Sequence, residues 1–301
     1  MGFRTLEIST ACEIHIKNGQ LEIISEDGTA LIPIEDLEQI LVHGANIRLS
    51  TMDLSILTQN NVGIITLDEK YLPTAIVLPF EGHARQSKLM HAQVNTSREK
   101  YLELWVQIIK QKICNQSRAL SILGFSGAES IANYAFSVHP GNVDINESLA
   151  AKEYFESFHM GLNRRSDDPI NSRLNYGYAV VRSYIARCLC TTGFHPTFGI
   201  HHNSQLNAFN LADDLIEPFR AGVDLVAHNT IGINVILNRN ERRELAHVLH
   251  NACMMNGMKV NVMTAVKIMC ESLKRIILDS STEQLQLPTI LPVESMEGIT
   301  E

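Results

Sequence analysis

Glu147 is the first residue of this chain whose position suggests chemistry. It follows two candidate N-cap residues, Asp144 and Asn146, so we expect it in the first turn of a helix. On that helix it shares a face with residues that leave room for a bulky group beside the carboxylate: Ala150, Ala151 and Tyr154. Taken alone, the carboxylate has a plainer explanation, because the helix dipole stabilises acids at helix N-termini.

A second group of acids lies on a predicted helix that contains a proline. Asp213 and Asp214 precede Glu217 at i,i+4 and i,i+3 spacing, so the carboxylates repel one another unless a cation lies between them. Pro218 should kink this helix and free a backbone carbonyl. The alternative is a solvated acidic face, and the acids alone do not decide between the two.

Two adjacent histidines, His201 and His202, complete the set of candidate ligands. They are either metal ligands or ordinary loop histidines, since the chain has 12 histidines. One histidine and two carboxylates from separate helices form a mixed oxygen and nitrogen site, which suits Mg²⁺ or Mn²⁺ better than a thiolate-bound metal. A metal beside cationic helices predicts phosphodiester chemistry, because it polarises a phosphoryl oxygen and stabilises the displaced group.

The elements that must position these residues are of two kinds, which predicts an α+β chain. Residues 1–78 read as an N-terminal β-sandwich-like domain, with one helix capped by Ser50 or Thr51 and with turns at Asn18-Gly19 and Asp27-Gly28. The predicted strands are 5–9, 13–17, 21–25, 29–33, 40–42, 47–50, 63–67 and 74–78.

Residues 79–96 read as a linker, residues 97–280 as an all-α catalytic domain that binds metal and DNA, and residues 281–301 as a flexible acidic tail. Helical periodicity starts at Ser97, and further helices are predicted at 117–123, 127–136, 145–159, 171–192, 204–228, 239–256 and 259–278. The polar run 112–117 either ends the first helix or contacts DNA phosphates. Asp168-Pro169 predicts a helix start.

Taken alone, the net charge of −8 argues against a nucleic-acid binder. This value is, however, an average over segments of the chain that differ in charge. Residues 1–75 carry a net charge of about −7, whereas residues 81–120 carry about +4. The chain has 6 cysteines without a Cys-x-x-Cys pair, no apolar run that would cross a membrane, and charged residues where a secretion signal would be apolar. We therefore expect a cytoplasmic protein with reduced thiols.

Several segments, in this order, carry a family resemblance over almost the whole chain. They are Leu72-Pro73-Thr74-Ala75, Lys112-Ile113-x-Asn115-Gln116, Glu147-x-x-Ala150-Ala151-x-x-Tyr154-Phe155, Pro169-Ile170-Asn171-x-x-Leu174-Asn175-Tyr176-Gly177-Tyr178, Phe198-Gly199-Ile200-x-His202, Gln205-x-Asn207-x-Phe209-Asn210-Leu211 and Asp214-Leu215-x-Glu217-Pro218-Phe219-Arg220. Together they resemble the CRISPR-associated (Cas) endonucleases and spacer integrases, the first-numbered Cas family, in its type II form.

The resemblance implies catalytic metal ligands at Glu147, His202 and Glu217, with Asp214 as an auxiliary acid and Mg²⁺ or Mn²⁺ as the ion. His201 beside His202 leaves the choice of ligand open, and Ser148 stands where relatives often have glycine. The DNA-contact residues predicted on the same basis are Arg85, Lys112, Arg164, Arg165, Asn171, Tyr176 and Arg220.

The resemblance further implies a metal-dependent integrase that joins the 3′-hydroxyls of a short prespacer duplex to the leader end of a CRISPR repeat by transesterification. The implied partners are DNA, a second copy bound through the N-terminal domain, the small ferredoxin-like second-numbered Cas protein, and in type II systems the effector nuclease and an accessory adaptation protein. Two alternatives remain: a general metal-dependent nuclease on branched or single-stranded DNA, and a non-catalytic DNA-binding scaffold.

Overall fold

The computed structural model describes residues 4–68, 73–77, 79, 86–159, 168–230, 235–279 and 283–293. In the N-terminal part of this range the predicted strands and the single predicted helix are confirmed. They are β1 (Arg4–Ile8), β2 (Cys12–Lys17), β3 (Gln20–Ser25), β4 (Gly28–Pro33), β5 (Leu37–Val42), β6 (Ile47–Leu49), α1 (Thr51–Gln59), β7 (Gly63–Leu67) and β8 (Pro73–Val77).

The described strands form two sheets, in the orders β1-β5-β7-β8 and β4-β3-β2-β6. One buried cluster joins both sheets and α1, with Ile40 and Ile64 from the first sheet and Ile14 from the second. Neighbouring residues of the first sheet, Leu41 and Ile65, belong instead to the core of the helical part. Because successive strand residues point to opposite faces, this sheet contributes one face to the sandwich and the other to the helices.

Local signals in the sequence explain the strand connections and the start of α1. The predicted Asn18-Gly19 turn is confirmed, with φ of 54° and 74°, as a tight hairpin requires. Ser50 caps α1, since its hydroxyl accepts from the Asp53 N–H over 3.1 Å and Asp53 accepts from the Ser50 N–H over 3.4 Å.

The C-terminal part is mainly helical, as predicted. Its helices are α2 (Gln86–Asn95), α3 (Arg98–Leu123), α4 (Ala128–Ser137), α5 (Val143–His159), α6 (Pro169–Thr192), α7 (Asn210–Leu215), α8 (Arg220–Asn229), α9 (Arg239–Ala246) and α10 (Val262–Asp279). Among the described residues, 3₁₀ turns lie at Ile34–Asp36, Glu217–Phe219 and His247–His250. Within the described residues, no helix combines the length and the apolar character needed to cross a membrane.

The helix boundaries correct several predictions in this region. Most of the predicted linker is helix α2, with Leu89 and Gln93 buried. The expected break at 112–117 is absent, because the polar side chains of Lys112, Asn115 and Gln116 are buried within a continuous α3. Glu147 is the fifth residue of α5 rather than a residue of its first turn.

A small sheet interrupts the part that was predicted to be all-α. Its strands are β9 (Ala252–Met255), β10 (Met258–Asn261) and β11 (Thr289–Ile290), in the order β10-β9-β11. The turn between β9 and β10 is Asn256-Gly257, with φ of 51° and 78°. The helix predictions for 239–256 and 259–278 therefore miss a hairpin that this dipeptide signals.

The predicted flexible tail is wrong for its described part, residues 283–293. β11 pairs with β9, and Leu285 and Ile290 are each 5% exposed. Gln107 Oε1 accepts from the Leu285 N–H over 2.9 Å, which ties the segment to α3. The rest of the predicted tail, residues 281–282 and 294–301, lies outside the described residues.

A buried ion cluster joins the two parts of the chain. Glu38 on β5 is 2% exposed and contacts Arg187 of α6 and, over 3.0 Å, Lys267 of α10. Arg187 also donates to the Asn61 carbonyl over 3.1 Å. A carboxylate so deeply buried requires such partners, since an isolated buried charge costs several kcal/mol.

We expect Glu38→Gln to lower the free energy of unfolding by about 3 kcal/mol or more, because it leaves the buried Arg187 guanidinium without its counter-ion. Chemical denaturation measures this change. The matched control is Glu156→Gln, which removes a carboxylate that is 63% exposed and pairs with Lys152 at 4.0 Å. That substitution should change the free energy by no more than about 0.5 kcal/mol. Equal effects of both substitutions would contradict the role given to Glu38.

Candidate metal centre

Two carboxylates and one ammonium meet where α3, α5 and the 3₁₀ turn before α8 come together. Lys112 Nζ on α3 lies 2.6 Å from Glu147 Oε1 on α5 and 2.6 Å from Glu217 Oε2 on the turn. The side chain of Glu147 is 24% exposed, whereas those of Glu217 and Lys112 are 6% and 10% exposed. Solvent therefore reaches this centre from the side of Glu147.

Charge pairing keeps Glu217 ionised in spite of its burial. Burial alone would raise the pKa of its carboxyl, but Arg220 and Lys112 hold that pKa at about 2. Arg220 Nε donates to Glu217 Oε1 over 2.9 Å. Burial would likewise lower the pKa of Lys112, but Glu217 and Glu147 raise it above its usual value. Lys112 and Glu217 are therefore both charged at neutral pH.

Pro218 and Asn115 fix the direction in which Glu217 points. Pro218 lacks an N–H, so α7 ends at Leu215 and the chain continues as a 3₁₀ turn, which confirms the predicted kink. Asn115 Nδ2 donates to the Pro218 carbonyl over 2.7 Å and to the Pro288 carbonyl over 2.9 Å. Since Asn115 lies about one turn after Lys112, one face of α3 holds both the ammonium and the turn that carries Glu217.

Asp214 holds His202 in one orientation. Its carboxylate accepts from the backbone N–H groups of residues 200, 201 and 202 over 2.5, 3.0 and 3.1 Å, and lies 2.6 Å from His202 Nδ1. In the neutral imidazole that donates to Asp214, Nδ1 carries the proton and Nε2 keeps its lone pair. The hydrogen bond to Asp214 raises the pKa of His202. Histidines that bind metal through the other nitrogen are typically held in this way.

The loop that carries the histidines is anchored at both sides. Gln93 of α2 donates to the carbonyls of His195 and Phe198 over 2.9 and 2.8 Å. A Cβ at Gly199 would lie 2.2 Å from the His202 carbonyl oxygen and 2.7 Å from Asp214 Oδ2, so a side chain does not fit there. The loop is therefore pre-organised before any ligand binds.

Trp105 distinguishes the two histidines. The His201 ring stacks on its indole with centroids 4.3 Å apart and planes at 1°, whereas the His202 ring meets the indole edge-on at 5.9 Å and 85°. His201 Nε2 lies 3.9 Å from Asp144 Oδ1. Trp105 is the single tryptophan of the chain and is 2% exposed. This arrangement favours His202 as the ligand and gives His201 a packing role.

The donor set fits a cation bound between the two glutamates. In the described part of the chain, no three His, Cys, Asp or Glu side chains stand close enough together to hold a metal ion as they are. A positive charge, the Lys112 ammonium, lies between Glu147 and Glu217 where a cation would bind. Glu217 Oε2 is buried and, among the described residues, has this ion-pair contact but no hydrogen bond of good geometry. Carboxylate oxygens with an oriented imidazole nearby suit Mg²⁺ or Mn²⁺.

The acids around Pro218 do not share one cation, which was one of the two interpretations that the sequence left open, and the other, a solvated acidic face, does not hold for the buried Asp214 and Glu217. Asp213 pairs with Arg182, whose Nε lies 2.5 Å from its Oδ1. Asp214 pairs with His202 and Glu217 with Lys112 and Arg220. Each carboxylate therefore has its own partner, which removes the repulsion that their spacing implies.

Buried tyrosines help to position the side chain of Arg220. The guanidinium carbon of Arg220 lies 4.8 Å from the centre of the Tyr178 ring. The Tyr178 hydroxyl donates to Asp224 Oδ1, and the Tyr154 hydroxyl donates to Asp224 Oδ2 over 2.7 Å. Since Asp224 is 1% exposed, both hydroxyls satisfy a buried carboxylate and fix the ring on which Arg220 lies.

The predicted DNA-contact residues fall into three groups. Arg85, Arg164 and Arg165 lie outside the described residues. Asn171 and Tyr176 are 4% and 0% exposed on α6, which argues against the predicted contacts. Arg220, 30% exposed, and Lys112 lie at the candidate centre, so their predicted DNA contacts stay predictions.

One surface with exposed arginines escaped the sequence-based prediction, and these arginines supply its positive charge at neutral pH, because burial lowers the pKa of both histidines beside them. It follows α9 and the next 3₁₀ turn and lines a concavity beside Glu7 of β1, and we call it the α9 basic row: Arg239, Arg243, His247 and His250. The residues recur at intervals of three or four, which places them on one helical face. That spacing was visible in the sequence, but the acidic neighbours masked it in the local charge.

Comparison with known proteins agrees with this architecture. The family model described as "CRISPR associated protein Cas1" matches residues 8–258. A curated CRISPR-associated endonuclease Cas1 from Neisseria meningitidis serogroup C (strain 8013) is 30% identical over 302 residues, which cover 99% of this chain and 99% of that protein.

Two solved structures share the fold. A casposase bound to its integration product superposes with a TM-score of 0.77 at 18% identity, covering 100% of this chain and 96% of the casposase. A chain of a Cas6-RT-Cas1–Cas2 complex superposes with a TM-score of 0.74 at 18% identity, covering 96% of this chain and 36% of that one. With the family match over residues 8–258 and a relative alignable over its whole length, this chain belongs to the CRISPR-associated Cas1 family.

Proposed function

We propose that this protein is the integrase of CRISPR adaptation, which inserts short duplex DNA into a CRISPR array in a reaction that depends on Mg²⁺ or Mn²⁺. The observation that carries the proposal is the convergence of Glu147 and Glu217 on one positive charge, with His202 oriented by Asp214 within electrostatic range of Glu217. Membership of the Cas1 family, the endonuclease name of the Neisseria relative and the casposase fold likeness support it.

The reaction is a transesterification. The oxygen of an incoming 3′-hydroxyl forms a bond to a phosphorus of the repeat, and the bond from that phosphorus to the 3′-oxygen of the target strand breaks. The attacking hydroxyl loses its proton to solvent, and the leaving oxygen takes one up. A divalent cation, when bound, polarises the phosphoryl oxygen and stabilises the leaving oxygen.

The chain supplies the binding and the orientation. Glu147, Glu217 and the bare Nε2 of His202 would hold the cation. Asp214 keeps the His202 ring in the tautomer that leaves Nε2 free, and the buried position of Asp214 keeps this hydrogen bond from exchanging with water. The guanidinium of Arg220, held by Glu217 and Tyr178, would contact the phosphate beside the scissile bond.

The α9 basic row is the surface that we assign to the DNA backbone. Arg239 and Arg243 are exposed, and His247 and His250 extend the row along the same concavity. Phosphate contacts of this kind supply affinity that is independent of sequence and weakens with salt. The proposed partners besides DNA are a second copy, bound through residues 1–78, and the small protein Cas2, with which the Cas1 of one structural neighbour is assembled.

Mn²⁺ binding can be measured without activity, because Trp105 lies within ring contact of both histidines. We expect Mn²⁺ to quench the fluorescence of Trp105 in a saturable titration. Glu217→Gln and His202→Ala should weaken binding at least about ten-fold, a loss that even indirect partners of a ligand can cause. His201→Ala should change the starting fluorescence but leave the affinity within about two-fold. A larger loss of Mn²⁺ affinity in His201→Ala than in His202→Ala would make His201 the ligand instead of His202.

Strand joining tests the reaction itself. A labelled prespacer duplex and a supercoiled plasmid with a repeat array should give joined products with the wild-type protein. Glu147→Gln should lower the joining rate at least about a hundred-fold, because the lost ligand contributes several kcal/mol of charge stabilisation. Glu156→Gln, on the exposed side of the same helix, is the control. Plasmid DNA that is cut but not joined to the prespacer would indicate a general nuclease instead of an integrase.

The salt dependence of DNA binding tests the α9 basic row. The double variant Arg239→Gln/Arg243→Gln should weaken duplex binding equally for all sequences and lower the slope of log affinity against log salt by about 2. Arg48→Gln serves as the control, because Arg48 lies on β6 of the sandwich with its side chain 77% exposed. An unchanged slope in the double variant would exclude this surface from the DNA path.

A further inference from the structure

Lys112 is an unusual neighbour for two metal-binding carboxylates. Its ammonium makes equal 2.6 Å contacts with Glu147 and Glu217, from a side chain that is 10% exposed. The contact to Glu147 Oε1 has hydrogen-bond geometry, whereas the contact to Glu217 Oε2 does not. The ammonium therefore binds Glu147 through a hydrogen bond and an ion pair, and Glu217 through an ion pair.

The same position cannot hold an ammonium and a divalent cation together. A metal held by both oxygens would have to lie within contact distance of a nitrogen that lies 2.6 Å from the same two atoms. Two positive centres at that separation repel strongly in a site of low exposure. Loading the site thus requires the ammonium to leave.

We propose that Lys112 is the internal counter-ion of the metal site, which neutralises Glu147 and Glu217 in the metal-free protein and is displaced when the metal binds. This inference rests on the proposed function, because it takes these glutamates as metal ligands. It gives Lys112 two effects of opposite sign: the residue stabilises the metal-free fold and weakens the binding of the metal.

Lysine suits this role better than arginine. Its charge is a single compact point on a flexible four-carbon stem, so the head can leave while the stem remains packed in α3. Arg220 binds the other oxygen of Glu217 through a planar guanidinium that Tyr178 holds in place, and it can remain when the metal arrives. Displacement also frees the ammonium beside the place where a DNA phosphate would bind, which reconciles its burial with a DNA contact.

The test compares the Mn²⁺ affinity of charge-changing variants at pH 8, read from Trp105 fluorescence, with melting temperatures measured with and without Mn²⁺. Lys112→Gln and the apolar Lys112→Met should bind Mn²⁺ about ten-fold more tightly or better, since one positive charge is removed from the site. Without metal, both variants should melt at a lower temperature than wild type. Saturating Mn²⁺ should raise their melting temperatures by more than it raises that of wild type. Lys112→Arg, which keeps the charge, should bind no more tightly than wild type.

Lys110→Gln is the matched control, because it removes an exposed positive charge two residues away on the same helix and should leave the affinity unchanged. Unchanged or weaker Mn²⁺ binding by Lys112→Gln and Lys112→Met, with normal binding by wild type, overturns this inference and leaves the proposed metal site standing. Binding by Lys112→Arg as tight as that by Lys112→Gln also overturns it. A wild-type protein that shows no Mn²⁺ binding overturns the proposed function together with this inference.

Discussion

The need to pair buried charges governs how this chain is put together. Glu217 is almost fully buried, and an ionised carboxylate in that environment persists only if cations and hydrogen bonds replace the water it has lost. Lys112 and Arg220 provide these cations from two different helices. Since Lys112 and Arg220 must both contact the Glu217 carboxylate, this pairing constrains where α3 and α8 lie relative to the 3₁₀ turn that carries Glu217.

Helix α3 is the element on which the other parts of the site converge. One stretch of it supplies the ammonium of Lys112, the amide of Asn115 that holds the turn, and the indole of Trp105 that packs against the histidine loop. The same principle operates at the junction of the two parts of the chain, where Glu38 of the sandwich finds Arg187 and Lys267. Buried ion pairs of this sort add little net stability, but they penalise any arrangement that separates the partners.

Local signals in the sequence predicted the strands, their turns and most helices, because capping residues, turn dipeptides and periodicity act over a few residues. The kink at Pro218 was predictable for the same reason, whereas Glu147 and Glu217 became candidate ligands through the family resemblance, and that role stays a prediction. The pairing of Lys112 with two glutamates was not predictable from local signals, because these partners lie 35 and 105 positions away along the chain. A polar residue in an apolar helix also fits a helix end. Choosing between His201 and His202 required the positions of Asp214 and Trp105, which only the folded chain brings together. The packed segment 283–293 was misread because its composition is that of a loose tail, while its order comes from Asn115 and β9.

The hydrogen bonds of Asn115 also bear on how the molecule folds. They join α3 to Pro218 across 103 positions and to Pro288 across 173 positions of the chain. Contacts of such long range form late, because the loops they close must first lose their conformational entropy. The turn that carries Glu217 therefore reaches its final support only when distant segments have docked. A partly folded or partly synthesised chain therefore lacks the support that places Glu217 beside Lys112.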